Sequence, residues 1–177
     1  MKILINNKEV LRCMDLFILR HGKAEKSSDG TADAARALTR DGKKEVKKVA
    51  RWMKKNKFRF EAIATSPLKR SRGTAKIIAK GLGQKDRLVV WDELAPGGDH
   101  DSVCYHVSGY GEHASVLVIG HEPGLSLLIS KITDDTSNSS PVIAKAGLAK
   151  IQNYSYTKRP SGDLQWLLTP KHMKDTR

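Results

Sequence analysis

Short, mostly apolar runs alternate with longer amphipathic stretches along most of this chain. Each run stops at a glycine, a proline or a charged residue, or just before one, which is typical of strands buried in a sheet. Four such runs occupy residues 15–19, 60–64, 88–91 and 115–119. Strands that alternate with helices predict an α/β fold of three layers, in which helices cover both faces of a mainly parallel sheet.

The longest helical pattern covers residues 40–56, and Thr39 stands before it in the N-cap position. Its apolar positions recur at spacings of three and four residues: Val46, Val49, Ala50, Met53. A second helix is predicted to begin at Pro67, with Ser66 as its cap, and to run to Gly81. Two shorter helical patterns follow at residues 100–110 and 125–132.

The segments between these elements lack a periodic pattern. Residues 23–37 are small and polar, with turn chemistry at 27–30, and predict a loop over the end of the first strand. Residues 92–99 contain proline and glycine and predict a loop that is not helical, and residues 133–141 read as a polar linker. Two further strand-like runs lie at 147–152 and 164–168.

The size and composition of the chain are those of an ordinary globular protein. With 177 residues, of which 39% are hydrophobic and 29% charged, it can bury one sizeable core. We therefore predict a single domain over residues 14–177. Residues 1–13 precede the first clear strand and carry no motif, so an extra strand, an appended arm and a start codon read too early all fit them.

Basic and imidazole side chains follow the ends of three predicted strands. They are Arg20 with His21, Arg70 in the first turn of the second helix, and His121. Open α/β sheets bind ligands at the carboxyl ends of their strands, and a helix N-terminus favours an anion. One histidine at a strand end is more often a hydrogen-bonded structural residue, but the three sets together predict a cationic pocket.

Other polar side chains on the flanking loops are candidates for the same pocket. Asp33 and Arg36 lie on the loop after the first strand and could reach a phosphate or orient a catalytic group, although full solvation is an equally good interpretation. Glu93 follows the third strand, between Asp92 and Asp99 in the same loop. One of these carboxylates is a candidate proton donor, but carboxylates beside glycine and proline more often form turns.

The charge balance favours anionic partners. Lysine and arginine number 32 against 19 aspartate and glutamate, which gives a net charge of +13 and a pI near 9.8. Part of this charge lies on the outer face of the helix at 40–56, at Lys43, Lys44, Lys47, Lys48, Arg51, Lys54 and Lys55. A docking surface is one interpretation and a solvated helix face, the commoner case, is the other. Trp52 alone is too little aromatic surface for a stacking platform.

Cysteine and histidine spacing argues against a disulfide framework and a metal site. Cys13 and Cys104 are far apart and match no zinc-ligand spacing. His100, His106 and His113 are separated by six and seven residues, which fits no known metal cluster. The sequence has no secretory signal, and no apolar run approaches the ~20 residues of a membrane span. We therefore expect a cytoplasmic protein without membrane attachment.

Four motifs occur at the predicted strand ends. They are Arg20-His21-Gly22, Ser66-Pro67-Leu68-Lys69-Arg70 with Thr74-Ala75, the loop from Glu93 to Asp99, and Ile119-Gly120-His121. Their order resembles the histidine phosphatase (phosphoglycerate mutase-like) superfamily. Within it, the chain is most similar to the short SixA-type phosphohistidine phosphatases, which share the compact size and the segment Arg36-Ala37-Leu38-Thr39. It departs from the mutases in lacking an Asn soon after Gly22, and it has Gly73 where many members carry Gln.

The resemblance implies a phosphatase that requires no metal or cofactor. His21 would attack phosphorus and become transiently phosphorylated, so its imidazole must be neutral. Arg20, Arg70 and His121 would surround the phosphoryl oxygens, with Arg36 as a further phosphate ligand. Positive charge from these side chains would replace the metal ion.

The resemblance also implies a proton donor and a substrate class. Glu93 is the candidate acid by position, and Asp33 is the second candidate. An imidazole leaving group needs less protonation than a sugar alkoxide, so a weak acid favours phosphohistidine, including a protein that bears it. A broad small-molecule phosphomonoesterase or a mutase is the alternative. A basic nucleic-acid-binding module is a remote one, since it leaves the histidines at the strand ends unexplained. The oligomeric state is open.

Overall fold

Strands and helices alternate in the computed structural model, which describes residues 14–26, 32–134 and 141–173. The strands are β1 (Met14–Arg20), β2 (Ala62–Thr65), β3 (Leu88–Val90), β4 (Ser115–Gly120), β5 (Leu148–Tyr156) and β6 (Pro160–Leu168). The helices are α1 (Arg40–Lys55), α2 (Lys69–Leu82), α3 (His100–Ser108) and α4 (Gly124–Thr133). The predictions for residues 1–13, for the turn at 27–30 and for most of the linker at 133–141 lie outside the described residues.

The six strands form one sheet in the order β3-β2-β4-β1-β5-β6. The first four strands in this order are parallel, whereas β5 is antiparallel to β1 and pairs with β6 as an antiparallel hairpin. The predicted α/β class with a mainly parallel sheet is confirmed. β1 and β4 are neighbours at the centre of the sheet, so the residues that follow them emerge side by side.

Helices cover both faces of this sheet, as the three-layer prediction requires. Successive side chains of a strand point to opposite faces, and on β1 both sets are buried. Leu16 and Ile18 pack in a cluster with residues of α3 and α4, while Phe17 and Leu19 pack with residues of α1 and α2. The continuous apolar runs in the sequence reflect this burial on two faces.

The start of α1 is held as the sequence predicts. The Thr39 hydroxyl accepts a hydrogen bond from the Gly42 N–H at 3.0 Å, which caps the helix. Gly42 itself lies against the chain just after His21, where a Cβ would come within 2.1 Å of the Lys23 carbonyl oxygen. Glycine at this position therefore lets α1 approach the end of β1 closely.

The start of α2 differs from the prediction. The helix begins at Lys69, and neither Ser66 as cap nor Pro67 as first helical residue is correct. Ser66 Oγ instead lies 2.8 Å from Nε2 of His121 and accepts a hydrogen bond from the Leu68 N–H at 3.3 Å. The Ser66 hydroxyl therefore makes a tertiary contact with His121 instead of capping α2.

Two other segments differ in detail. Residues Asp92–Leu94 form a 3₁₀ turn, so the expectation that 92–99 contains no helical residue is wrong there. The last two strands are longer than predicted, because they pair with each other as a hairpin. The outer strand β6 carries many exposed polar residues, so its apolar residues form no clear pattern in the sequence.

Within the described ranges, no helix is long and apolar enough to cross a bilayer. The same residues contain no group of three or more His, Cys, Asp or Glu side chains placed to hold a metal ion. The cytoplasmic location stays a prediction.

Candidate active site

The two histidines from separate motifs lie next to each other at the centre of the sheet edge. Arg20 pairs with Gly120 in the parallel register of β1 and β4, so His21 and His121 follow paired residues. Their ring centroids are 4.9 Å apart, and both residues are buried, with 8% and 5% of their surface exposed. The sheet register thus brings together residues that are a hundred positions apart in sequence.

Arg70 joins this pair from the first turn of α2. Its side chain is buried, and its Nε–H donates a hydrogen bond to Nε2 of His21 at 3.2 Å. Its Nη1 and Nη2 donate to the backbone carbonyl and the carboxylate of Asp33 at 2.8 and 2.9 Å. The guanidinium therefore lies directly against the ring of His21.

The protonation of the His21 ring follows from its backbone partner. Nδ1 lies 2.7 Å from the carbonyl oxygen of Gly22, which can only accept, so Nδ1 carries the hydrogen. Nε2 therefore carries no hydrogen, and its lone pair accepts the hydrogen bond from the Nε–H of Arg70. Gly22 is held in turn by its N–H, which donates to the Thr74 hydroxyl at 3.2 Å. This is the tautomer required of a nucleophile at Nε2.

Both histidines are neutral at pH 7. Burial lowers the pKa of His21 to about 4, assisted by the charges of Arg70, Arg20 and Lys145 and opposed by the Gly22 hydrogen bond. Burial also lowers the pKa of His121 to about 3, assisted by His21 and Arg70. Desolvation and neighbouring positive charge act in the same direction, so each imidazole keeps its lone pair well into the acidic range.

This depressed pKa makes stability depend on pH. The unfolded chain binds a proton at His21 near pH 6.5 and the folded chain only near 4, so the free energy of unfolding falls as the pH drops through this window. For His21 alone we expect a loss of roughly 2 kcal/mol between pH 7 and pH 4.5. The measurement is urea unfolding of the wild type and of His21→Asn at both pH values. The contribution of His21 is the fall in the free energy of unfolding of the wild type minus the fall found for His21→Asn. An equal loss in both proteins would contradict it, and His172→Asn, at an exposed site, serves as control.

Two buried nitrogens at the site have no hydrogen-bond partner among the described residues, namely Nε of Arg20 and Nδ1 of His121. Buried donors without a partner are costly, and oxygens of an anion would satisfy both. Ser66 can donate its hydroxyl hydrogen to Nε2 of His121, which leaves the hydrogen of that ring on Nδ1. The donor set fits a tetrahedral oxyanion.

Arg20 is positioned by a carboxylate that the sequence analysis missed. Its Nη1 donates to the Ile143 carbonyl oxygen at 2.9 Å, and the Ile143 N–H donates to Glu122 Oε1 at 2.8 Å. The other oxygen of Glu122 accepts from the Ser126 hydroxyl at 2.6 Å. Glu122 thereby ties the segment that holds Arg20 to the start of α4. Its place directly after His121 was the available signal, but its partners are distant in sequence.

Asp33 and Arg36 lie at the site in different roles. Asp33 accepts hydrogen bonds from Arg70 and Arg36, which hold the pKa of its carboxyl below the ordinary value. Such a carboxyl is ionised at neutral pH and is poorly suited to donate a proton. Arg36 is bound to Asp33 and to the Glu25 carbonyl oxygen at 3.0 Å, so it holds the loop rather than contacting His21.

The third strand supplies carboxylates with separate roles. Glu93 lies in the 3₁₀ turn, with Oε2 4.0 Å from Nδ1 of His106, and it shares the walls of a cavity with His121. Asp99 caps α3 by accepting from the N–H groups of Asp101 and Ser102. A hydrogen bond from the Ser102 hydroxyl, followed by these two N–H bonds, lowers the pKa of its carboxyl. Glu93 is thus a carboxylate of this loop that shares a cavity wall with His121.

A search of known families and proteins relates the chain to others. The model of the histidine phosphatase superfamily (branch 1) matches residues 16–95. The chain is 28% identical over 163 residues to phosphohistidine phosphatase SixA of Escherichia coli, covering 91% of this chain and 97% of that protein. It is 31% identical over 143 residues to an uncharacterised protein of Picosynechococcus, covering 79% of this chain and 86% of the relative.

A solved structure has a similar fold. The protein histidine phosphatase SixA in complex with tungstate superimposes with a TM-score of 0.78 at 28% identity, over 91% of this chain and all of that one. The likeness therefore extends over most of the chain.

Proposed function

The chain belongs to the histidine phosphatase superfamily, and on this premise we propose that it hydrolyses phosphohistidine through a phosphoryl intermediate on His21. One observation carries the proposal. His21 is neutral, its Nε2 lone pair faces Arg70, and its Nδ1–H is fixed on the Gly22 carbonyl. The relative from Escherichia coli is named as a phosphohistidine phosphatase. The similar solved structure, a protein histidine phosphatase SixA, is a complex with tungstate, a tetrahedral anion like phosphate.

In the first step, the Nε–H of Arg70 turns from Nε2 of His21 to a phosphoryl oxygen, and Nε2 attacks phosphorus while the bond from phosphorus to the leaving group breaks. The ring becomes positively charged as the new bond forms. Its Nδ1–H then donates more strongly to the Gly22 carbonyl oxygen at 2.7 Å, which stabilises that charge. The product of this step is a phosphohistidine at position 21 and a free leaving group.

The phosphoryl oxygens gain charge in the transition state and need donors placed in advance. Arg70 provides a fork beside Nε2, Arg20 has its buried Nε, and His121 has Nδ1. An incoming phosphoryl group exchanges places with Asp33 on Arg70, since both are anions for the same guanidinium. All the positive charge in this mechanism comes from side chains, so it needs no metal.

In the second step, water attacks the phosphoryl group on His21 and inorganic phosphate leaves. The Nε2 lone pair returns with the breaking bond, and the ring regains its starting tautomer. Glu93 is the proposed source of the proton for the leaving group. Its place beside His121 supports this assignment, and the depressed pKa of Asp33 speaks against the alternative.

The proposal is tested by assaying phosphohistidine, phosphoserine and a sugar phosphate side by side. We expect the highest kcat/KM for phosphohistidine, on a free amino acid or a protein, because its P–N bond needs little acid assistance. A preference for the sugar ester would contradict the substrate class and favour the broad phosphomonoesterase. A requirement for a bisphosphate primer would indicate the mutase.

A further prediction concerns the carboxylate behind Arg20. Glu122→Ala removes the acceptor of the Ile143 N–H, and with it the support of the carbonyl that holds Arg20. We expect inhibition by orthophosphate to weaken roughly 10-fold, since Arg20 loses its fixed position. Glu112→Ala removes the same charge at an exposed site and should leave the inhibition constant unchanged. Equal inhibition constants for the wild type and Glu122→Ala would exclude this positioning role.

A further inference from the structure

An apolar cavity of about 140 Å³ lies beside His121, between the loop after β3 and the first turns of α4. Most of its wall is formed by Leu94, Ala95, Pro96, Val103, Leu125 and Leu128. The mechanism described above uses only two of its lining residues, His121 and Glu93. We call this space the side cavity.

The size of the side cavity fits a small flat ring. An engineered apolar cavity of about 150 Å³ in another protein binds benzene and stays dry without it. A five-membered heterocycle is smaller than benzene, so it can enter a space of about 140 Å³. The space is partly open, which allows a ring attached to a longer chain to reach it.

The chemistry of the walls selects among leaving groups. A sugar brings several hydroxyls, and a hydroxyl that is buried without a hydrogen-bond partner destabilises the complex. The cavity wall carries four polar side chains, Glu93, His100, His121 and Glu122, and the Glu122 carboxylate already accepts from Ser126 and the Ile143 N–H. An imidazole needs few partners, since it has apolar faces and one nitrogen besides the one bonded to phosphorus. The walls therefore fit an aromatic nitrogen heterocycle better than a polyol.

We propose that the side cavity is the leaving-group subsite and that it receives the imidazole ring of phosphohistidine, an inference that rests on the proposed function. The bond between phosphorus and the ring nitrogen breaks, and its electron pair goes to that nitrogen while His21 Nε2 bonds to phosphorus. Glu93, on the cavity wall, gives its proton to the far nitrogen of the ring, which then leaves as neutral imidazole. The Glu93 carboxylate formed in this way accepts a hydrogen bond from that far N–H.

The experiment compares two substrates with the same phosphoryl group on nitrogen. N-phosphoimidazole carries the ring, whereas phosphoramidate releases ammonia and leaves the side cavity unused. Ala95→Leu narrows the cavity from a half-buried position with extended backbone, where leucine is compatible with the fold. We expect kcat/KM for N-phosphoimidazole to fall at least about 10-fold, and that for phosphoramidate to stay within about 2-fold.

A second variant tests the same cavity independently, in case Ala95→Leu fails to fold. Leu127→Trp changes the mouth of the cavity at a residue that is 50% exposed, and it should give the same selective loss. Val90→Leu, at an exposed site that does not line the cavity, should alter neither substrate. If kcat/KM falls equally for both substrates in both cavity variants, or falls for neither substrate, the subsite is wrong. The proposed phosphatase activity is not contradicted by either result. If the wild type hydrolyses neither compound, the proposed function fails, and the subsite with it.

Discussion

His21→Ala is expected to abolish turnover of every phosphorylated substrate, with a loss of at least about 10⁴-fold in kcat. The variant removes the atom that would bond to phosphorus, and no neighbouring side chain holds an equivalent lone pair against Arg70. His121 lies 4.9 Å away between ring centroids, but its Nε2 is bound to Ser66. The loss should appear in kcat for all leaving groups, because each uses the same nucleophile.

The decisive measurement is covalent labelling. Rapid quenching of the wild type with a labelled phosphoryl donor should trap a phosphoryl group that is stable to base and labile to acid, as expected of phosphohistidine. The label should be absent from His21→Ala and present in His172→Asn, whose histidine is exposed at the surface. Label retained in His21→Ala, or mapped to another residue, would exclude His21 as the nucleophile.

Arg70→Ala is expected to lower kcat/KM by about 10² to 10³, the range observed when an oxyanion donor is removed. Arg70 places one nitrogen on Nε2 of His21 and two on Asp33, so its fork spans the space where phosphoryl oxygens would lie. Arg70→Lys keeps the charge but not the fork, and should recover only part of the activity.

Arg72 provides a matched control two residues further along α2. It is exposed, so Arg72→Ala should stay within about 2-fold of the wild type. Separate measurement of kcat and KM shows whether Arg70 acts in the transition state. A rise in KM with kcat unchanged would indicate that Arg70 binds the substrate and the transition state equally well. Activity of Arg70→Ala close to that of Arg72→Ala would remove Arg70 from the mechanism.

The central part of the fold could be predicted because local pattern and tertiary burial agree there. The runs at 15–19 and 115–119 are apolar on both faces and become the two innermost strands. Thr39 caps α1 as local rules predict, because its hydroxyl oxygen accepts from the Gly42 N–H while its hydrogen goes to the Lys23 carbonyl oxygen. The hairpin β5–β6 was underestimated, since its polar outer residues follow no buried pattern.

The details of the candidate site depend on contacts between distant residues and could not be predicted from local patterns. Ser66 would serve as a cap on local rules, yet its hydroxyl lies against His121. Glu122 was predicted only as part of a turn, and its contact with the Ile143 N–H depends on the return of the chain 21 residues later. Asp33 has its ionised role because Arg70 arrives from another helix. From the sequence we could predict which types of side chain follow the strand ends, but not which groups they would hydrogen-bond to.

The central placement of β1 and β4 has a consequence for how activity is lost. Each of these strands has a hydrogen-bonded neighbour on both sides and buried side chains on both faces, so its amides should exchange with solvent only when the whole sheet opens. His21 and His121 directly follow the two strands. The spacing of their rings should therefore survive partial fraying of the outer hairpin, and in a urea titration catalysis should disappear together with the sheet rather than before it.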